Sequence, residues 1–228
     1  MSELLIQDKD IVIPGQVLAT GMDYLPASGT FRDGEKIISF LIGIVNLNGR
    51  LIKLIPLTGT YVPRRDDVII GKVVDIGLFG WRVDMGWAYE ANLSVKDATP
   101  DFVERGADLT QFYTYGDWIM ARIVNVAGSK IIDLSMKGPG LRKLGDGSFV
   151  KITPAKVPRI IGKQGSMITM IKDNTNCRIL VGQNGMVWVS GADPENEIKA
   201  IEAIKMVEEG SQSDGLTDKV QAFLKGGK

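Results

Sequence analysis

Over the first sixty positions apolar residues come in short runs, at 11–13, 37–45 and 51–57, cut by Pro14-Gly15, Gly29, Asp33-Gly34 and Asn48-Gly49. Runs of that length between turn residues predict strands. Asn48-Gly49 predicts a hairpin, because both residue types tolerate positive φ. Pro63 then stops strand pairing, and Arg64-Arg65-Asp66-Asp67 puts four charges in a row, so a domain boundary is expected there. The strand pattern resumes at Val68. Val83 and Met85 alternate with Arg82 and Asp84, as a half-buried strand requires. Strands recur at 118–126 and 130–134 around Gly128, after one long connection at 94–116. Five strands in roughly 75 residues with a single long connection is the plan of an OB-type barrel.

The period changes after a glycine-rich connector at 136–148. Residues 148–152 predict a strand, and Pro158 suits the first turn of a short helix, where its missing N–H costs nothing. Gly162-Lys163-Gln164-Gly165 comes next, followed by a helix with Met167, Ile168 and Ile171 on one face. Strands at 177–181 and 186–190 flank a Gln183-Asn184-Gly185 turn. The last helix has a clear start: Asp193 as cap, Pro194 at the first position and Glu195 near the positive end. Its stripe of Ile198, Ile201, Ile204 and Val207 is expected to pack on the sheet. The expected chain is multidomain. A small all-β domain (1–63) precedes a five-stranded OB-type β-barrel (64–144) and an α+β unit of order β-α-α-β-β-α (145–210). A loosely held tail (211–228) closes it.

Composition narrows the chemistry. The 228 residues contain no histidine and one cysteine, Cys177. Triads with a histidine base are excluded, as are the usual structural zinc sets and any internal disulfide. No GxxxxGK[ST] loop is present, nor GxGxxG after a strand. Adjacent acids such as Asp66-Asp67 and Glu208-Glu209 read as solvated surface. No apolar run approaches a membrane span and the N-terminus lacks a signal pattern, so a cytoplasmic protein without a membrane partner is expected. Net charge is zero, but it is segregated. Residues 148–181 carry Lys151, Lys156, Arg159, Lys163, Lys172 and Arg178 against Asp173, a net +5. Residues 191–218 carry eight acids against Lys199 and Lys205, a net −6. One face should attract anions.

Two places carry candidate chemistry. Gly162-Lys163-Gln164-Gly165 joins two helices through a link bounded by glycines, which is either a tight turn or a place where a ligand approaches the backbone closely. In the barrel, Phe79, Trp81, Trp87 and Tyr89 lie within eleven positions. Surface aromatics can stack bases, whereas Trp81 and Trp87 read better as core and Phe79 as surface.

The stretch "IIGKQGSMITMIKDNTNCRILV" closely resembles a KH domain of the type I order. That resemblance implies a loop, flanked by Arg159 and Ile161, that clamps about four single-stranded nucleotides: its glycines let a phosphate approach the backbone, helix-terminal N–H groups face the anion and Lys163 adds a cation. "GKVVDIGLFGWRVDMG" and "IDLSMK" are similar to the opening and closing motifs of the OB-type repeat of the largest small-subunit ribosomal protein. Two departures thin its aromatic platform. Arg82 stands where a second aromatic is common, and Asn92 replaces the usual histidine before Leu93-Ser94. Arg82, Asn92, Arg122 and Lys130 remain candidates to contact RNA beside Phe79.

The whole order, with "NGRLIKLIPLTGTYVPRRDDVIIGKVVD" at its first junction, resembles the RNA-binding cap subunits of the archaeal exosome. The resemblance implies a non-catalytic protein needing no cofactor or metal. Three such caps would sit on a ring of RNase-PH-like subunits, capture single-stranded RNA and guide its 3′ end to phosphorolytic sites. The N-terminal domain would dock on the ring. A zinc-ribbon sister subunit is excluded by the missing ligands. A transcription or translation factor binding nascent RNA is the alternative. A catalytic exoribonuclease would need large catalytic domains for which the chain has no room. Asp at both Gly162 and Gly165 is expected to weaken RNA binding while leaving unfolding nearly unchanged.

Overall fold

The computed structural model describes residues 2–100, 103–104, 106–211 and 215–226. The chain divides into two units, Met1–Gly59 and Thr60–Lys228. The second unit therefore starts four residues before the expected 63/64 boundary. It also takes the barrel and the α+β part together. Tyr61 is the reason at its start: it is buried in the barrel core and its hydroxyl donates to Asp67 Oδ2 at 2.7 Å.

The first unit is all β. Its strands are β1 (Glu3–Leu4), β2 (Ile11–Val12), β3 (Val17–Thr20), β4 (Leu25–Pro26), β5 (Thr30–Asp33), β6 (Lys36–Ser39), β7 (Gly43–Asn48) and β8 (Leu51–Pro56). They form two four-stranded sheets, β1-β3-β6-β5 and β2-β7-β8-β4. Ile6, Val12, Leu18, Ile37, Val45, Ile52 and Leu54 make the core. The apolar run at 37–45 is two strands. Ser39 breaks it: its hydroxyl donates to Leu41 O at 2.6 Å and accepts from Leu41 N–H, a local bond that competes with ladder pairing. The expected hairpin joins β7 to β8, with Asn48 opposite Leu51 and only Gly49 at positive φ, 61°.

In the second unit β9 (Val68–Gly77), β10 (Gly80–Asp84), β11 (Ala91–Ser94), β12 (Trp118–Val126) and β13 (Ile132–Ser135) close a five-stranded barrel. Closure comes from parallel pairing of β11 with β13 and antiparallel pairing of β13 with β12 and of β12 with β9. The strand expected from 130 begins at Ile132, because Lys130 sits at φ 67° and its N–H closes a turn on Ala127 O at 3.0 Å. Helix α1 (Val95–Ala98) opens the long connection, capped by Ser94 Oγ. The glycine-rich connector contributes β14 (Arg142–Leu144), which pairs with β12.

The α+β part follows the expected order: β15 (Ser148–Lys151), α2 (Val157–Ile161), α3 (Ser166–Thr175), β16 (Arg178–Val181), β17 (Met186–Ser190) and α4 (Pro194–Glu209). Its sheet is antiparallel, β15-β17-β16. Asp193 caps α4 by accepting from Glu195 N–H at 3.1 Å. The buried face of α4 is Ala200, Ala203, Ile204 and Val207; Ile198 is exposed and Ile201 only partly buried. The stripe is therefore rotated from the expected one, because α4 packs on α2, α3 and α5 as well as on β17. Small alanines allow that close approach. The tail is also corrected. Leu216–Leu224 form α5, whose Leu216, Val220 and Leu224 are buried in the same core. Gln212, Ser213, Asp214, Gly227 and Lys228 lie outside the described residues.

The barrel and the α+β part are joined by hydrogen bonds as well as apolar contact. In the 182–185 turn, the buried Asn184 accepts from Ile70 N–H at 3.2 Å and donates to Ile70 O and Met85 O, both at 2.8 Å. Gln183 bonds Val68 through its side-chain oxygen and its N–H. Beside them Trp118 stacks on Phe149 at 4.2 Å, within a small core of Ile70, Leu144 and Trp188.

Candidate nucleic-acid interface

Helix α2 ends at Gly162, whose N–H donates to Pro158 O at 3.0 Å. The chain then passes through Gly162 (φ 77°), Gln164 (φ 53°) and Gly165 (φ 81°) into α3. The two glycines do different things. A Cβ on Gly162 would lie 2.6 Å from Met167 N, so this glycine is needed for α2 and α3 to meet. A Cβ on Gly165 would find only Thr169 Oγ1, at 4.0 Å, so the space beside it is open to a ligand. Lys163 and Gln164 are exposed at the crest. Among the described residues no side chain caps α3, which leaves its first-turn N–H groups and the positive end of the helix facing this loop. The arrangement suits a phosphate.

Around the loop, Arg159 is exposed on α2 and Ile161 is half-buried against the core. Lys156 is committed elsewhere, donating to Glu208 O at 2.9 Å. Glu208 itself is not solvated surface as expected. Its carboxylate accepts from the N–H and hydroxyl of Thr153 at 2.7 and 2.8 Å, fixing the approach to α2. Asp67 likewise holds Tyr61. Because a Cβ at Gly162 would strike Met167, the Gly162/Gly165 double Asp replacement is expected to damage folding, contrary to the sequence expectation.

On the barrel, Phe79 is 84% exposed at the β9–β10 turn. Its neighbour Leu78, 90% exposed, was not singled out by sequence. Its signal was an apolar pair, Leu78-Phe79, between Gly77 and Gly80, where turn residues would ordinarily be polar. Trp81 fills the core, its indole N–H donating to Tyr113 O at 2.9 Å. Trp87 packs partly against that core and stands edge-on to the exposed Tyr89. Arg82 and Asn92 are cross-strand neighbours, both facing solvent. Arg82 lies between Glu90 (3.5 Å) and Asp75 (4.0 Å), so its charge is partly balanced at home. Asn92 pairs with Asp133. Lys130 is exposed on the β12–β13 turn. Arg122 is half-buried between Val68 and Ser135, with its Nε enclosed and without a hydrogen-bond partner among the described residues.

Comparison with known proteins agrees with the domain order described above. The family model described as a KH domain matches residues 147–195, and that of the exosome RNA-binding protein RRP4 N-terminal domain matches residues 9–58. The exosome complex component Rrp4 of Pyrococcus abyssi is 44% identical over 227 residues, covering 98% of this chain and 85% of that protein. The Rrp4 of Methanothermus fervidus is 40% identical over 222 residues, 97% of each. A crystal structure described as that of an exosome complex RNA-binding protein superposes with a TM-score of 0.67 at 33% identity, covering 73% of this chain and 96% of that one. On these grounds the chain belongs to the Rrp4 family of archaeal exosome components.

Proposed function

We propose that this protein is a non-catalytic RNA-binding cap of an exosome, holding single-stranded RNA for other subunits to degrade. The observation that carries the reading is the Gly162–Gly165 loop. It presents an exposed lysine, an open glycine and the uncapped start of a helix at one point. Arg159, Ile161, Lys163 and Gln164 flank the strand there. On the barrel Phe79 stacks a base, while Arg82, Asn92, Arg122 and Lys130 offer polar contacts, Arg82 the weaker for its acidic neighbours.

The first unit supplies the docking surface. Ile11, Ile13, Met22, Leu25, Phe31 and Phe40 are exposed on this unit, with the Phe31 and Phe40 rings 6.5 Å apart, and they are the apolar side chains such a docking surface would use. An RNase-PH-like ring is its partner in this reading, and three caps surround the ring's entrance. Zero net charge fits a site that gains affinity from three linked copies rather than from one strongly basic surface. The protein acts in the cytoplasm.

Incubating the purified chain with RNA, phosphate and magnesium should give no degradation. Adding it to the ring should raise the ring's affinity for unstructured RNA. Turnover by the chain alone would contradict the non-catalytic reading. Recovery of two RNase-PH-like subunits on purification from the native source would support the assembly.

A further inference from the structure

The six bases of the 148–181 block do not all serve the glycine loop. At the other end of α3, about 15 Å along the helix from its ten residues, lies an open pocket of about 550 Å³. Its walls are Lys172 and Asp173 from the last turn of α3, Asn176 and Arg178 after it, and Ser190 with Gly191 at the end of β17. Arg178 and Ser190 are cross-strand partners, so guanidinium and hydroxyl stand side by side. Asn176, at φ 53°, ends the helix and turns the chain into β16. The floor is fixed from below. Gly191 lies where a Cβ would come within 2.9 Å of Cys177 Sγ. The Gly191 N–H donates to Glu197 Oε1 at 2.8 Å, and Glu197 also holds Ser148.

Unlike Lys156, Lys143 and Arg82, the two cations here have no ion pair or hydrogen bond among the described residues. Neither do the side chains of Asp173 and Ser190. The pocket thus offers two free cations, an amide and a hydroxyl as donors, with one carboxylate as acceptor. A bare anion would use the cations and be repelled by Asp173. A nucleotide uses all of them, its phosphate on Lys172 and Arg178 and its ribose hydroxyl on Asp173.

We propose that this pocket is a second RNA contact, taking a phosphate and ribose of the strand outside the segment held at Gly162–Gly165. The inference rests on the RNA-binding reading above, and it implies a longer footprint than the loop alone provides.

The test is an NMR titration of the labelled full chain with unstructured oligoadenylates of about 4 and about 15 nucleotides, the shorter matching the reach of one loop. Both should move the Lys163 and Gln164 amides, and only the longer should move Ser190 and the Arg178 side chain. Lys172→Glu with Arg178→Glu, both on the surface, should weaken the longer RNA roughly tenfold and leave the shorter unchanged. Unchanged affinity of the longer RNA overturns the proposal. So does a response of Arg178 to inorganic phosphate alone with none to RNA, which would make the pocket a free-anion site. Absence of any shift at Lys163 and Gln164 would instead count against the loop as the clamp, with the pocket still read from Arg178 and the double variant.

Discussion

At Gly162 the backbone needs both a positive φ and an empty Cβ position, whereas at Gly165 it needs the φ but has room beside it. Gly162→Ala should therefore cost roughly 1–3 kcal/mol of stability, measured by denaturant unfolding. Lys163→Asp with Gln164→Asp should do the reverse, because both side chains are exposed and Asp tolerates the left-handed conformation of Gln164. Unfolding should stay within about 0.5 kcal/mol of the parent, while RNA affinity falls at least about tenfold from two reversed or added charges. The motif was legible in sequence because glycine spacing is a local backbone property. Which glycine serves the fold and which the ligand was not, since that depends on where Met167 lies. Arg82 shows the same limit: its type and exposure could be read from alternation, but the carboxylates of Asp75 and Glu90 beside it come from the strand register.

Among elements, the 182–185 turn reads in sequence as an ordinary hairpin, yet it binds the α+β part to strand β9. Asn184→Ala would leave the buried Ile70 N–H and two carbonyls without partners, and is expected to cost about 2–4 kcal/mol. Calorimetry should then resolve separate barrel and α+β transitions. Helix α5 gives a second case. A tail judged by its glycines and charges looks loose, but three apolar side chains at helical spacing reach the core. Leu224→Ala should lower stability by about 2–4 kcal/mol, where a loose tail would show no change. Strand β14, laddered to β12, is also tied to the start of that strand by the pair Lys143–Asp117. Burial would raise that carboxyl, but hydrogen bonds from Lys143 Nζ (2.6 Å) and Thr114 N–H (2.7 Å) keep it below its ordinary range. The sign follows: its contribution is present above the unfolded value, about 3.9, and is lost as pH falls through the lower folded value. Asp117→Asn should reduce stability at neutral pH and flatten the acid limb of the unfolding curve.

For the molecule as a whole, the order of domains was legible because Pro63 with four charges marks one boundary, and a glycine-rich connector with a change of period marks the next. The rotated face of α4 and the union of barrel with α+β part were not, since both arise from packing between elements. The absence of histidine has a functional consequence. With no side chain of ordinary pKa near neutrality, RNA affinity should be flat between about pH 5.5 and 7. Ile13→Asp with Phe40→Asp, both exposed on the first unit, should abolish association with the ring but leave RNA binding by the free chain intact. The most direct test of the account is the affinity of an unstructured RNA for the ring, alone, with this protein, and with its Lys163→Asp/Gln164→Asp variant. The account predicts tight binding with the parent protein and a large loss with the variant, which still joins the ring. Equal affinity with parent and variant would contradict it.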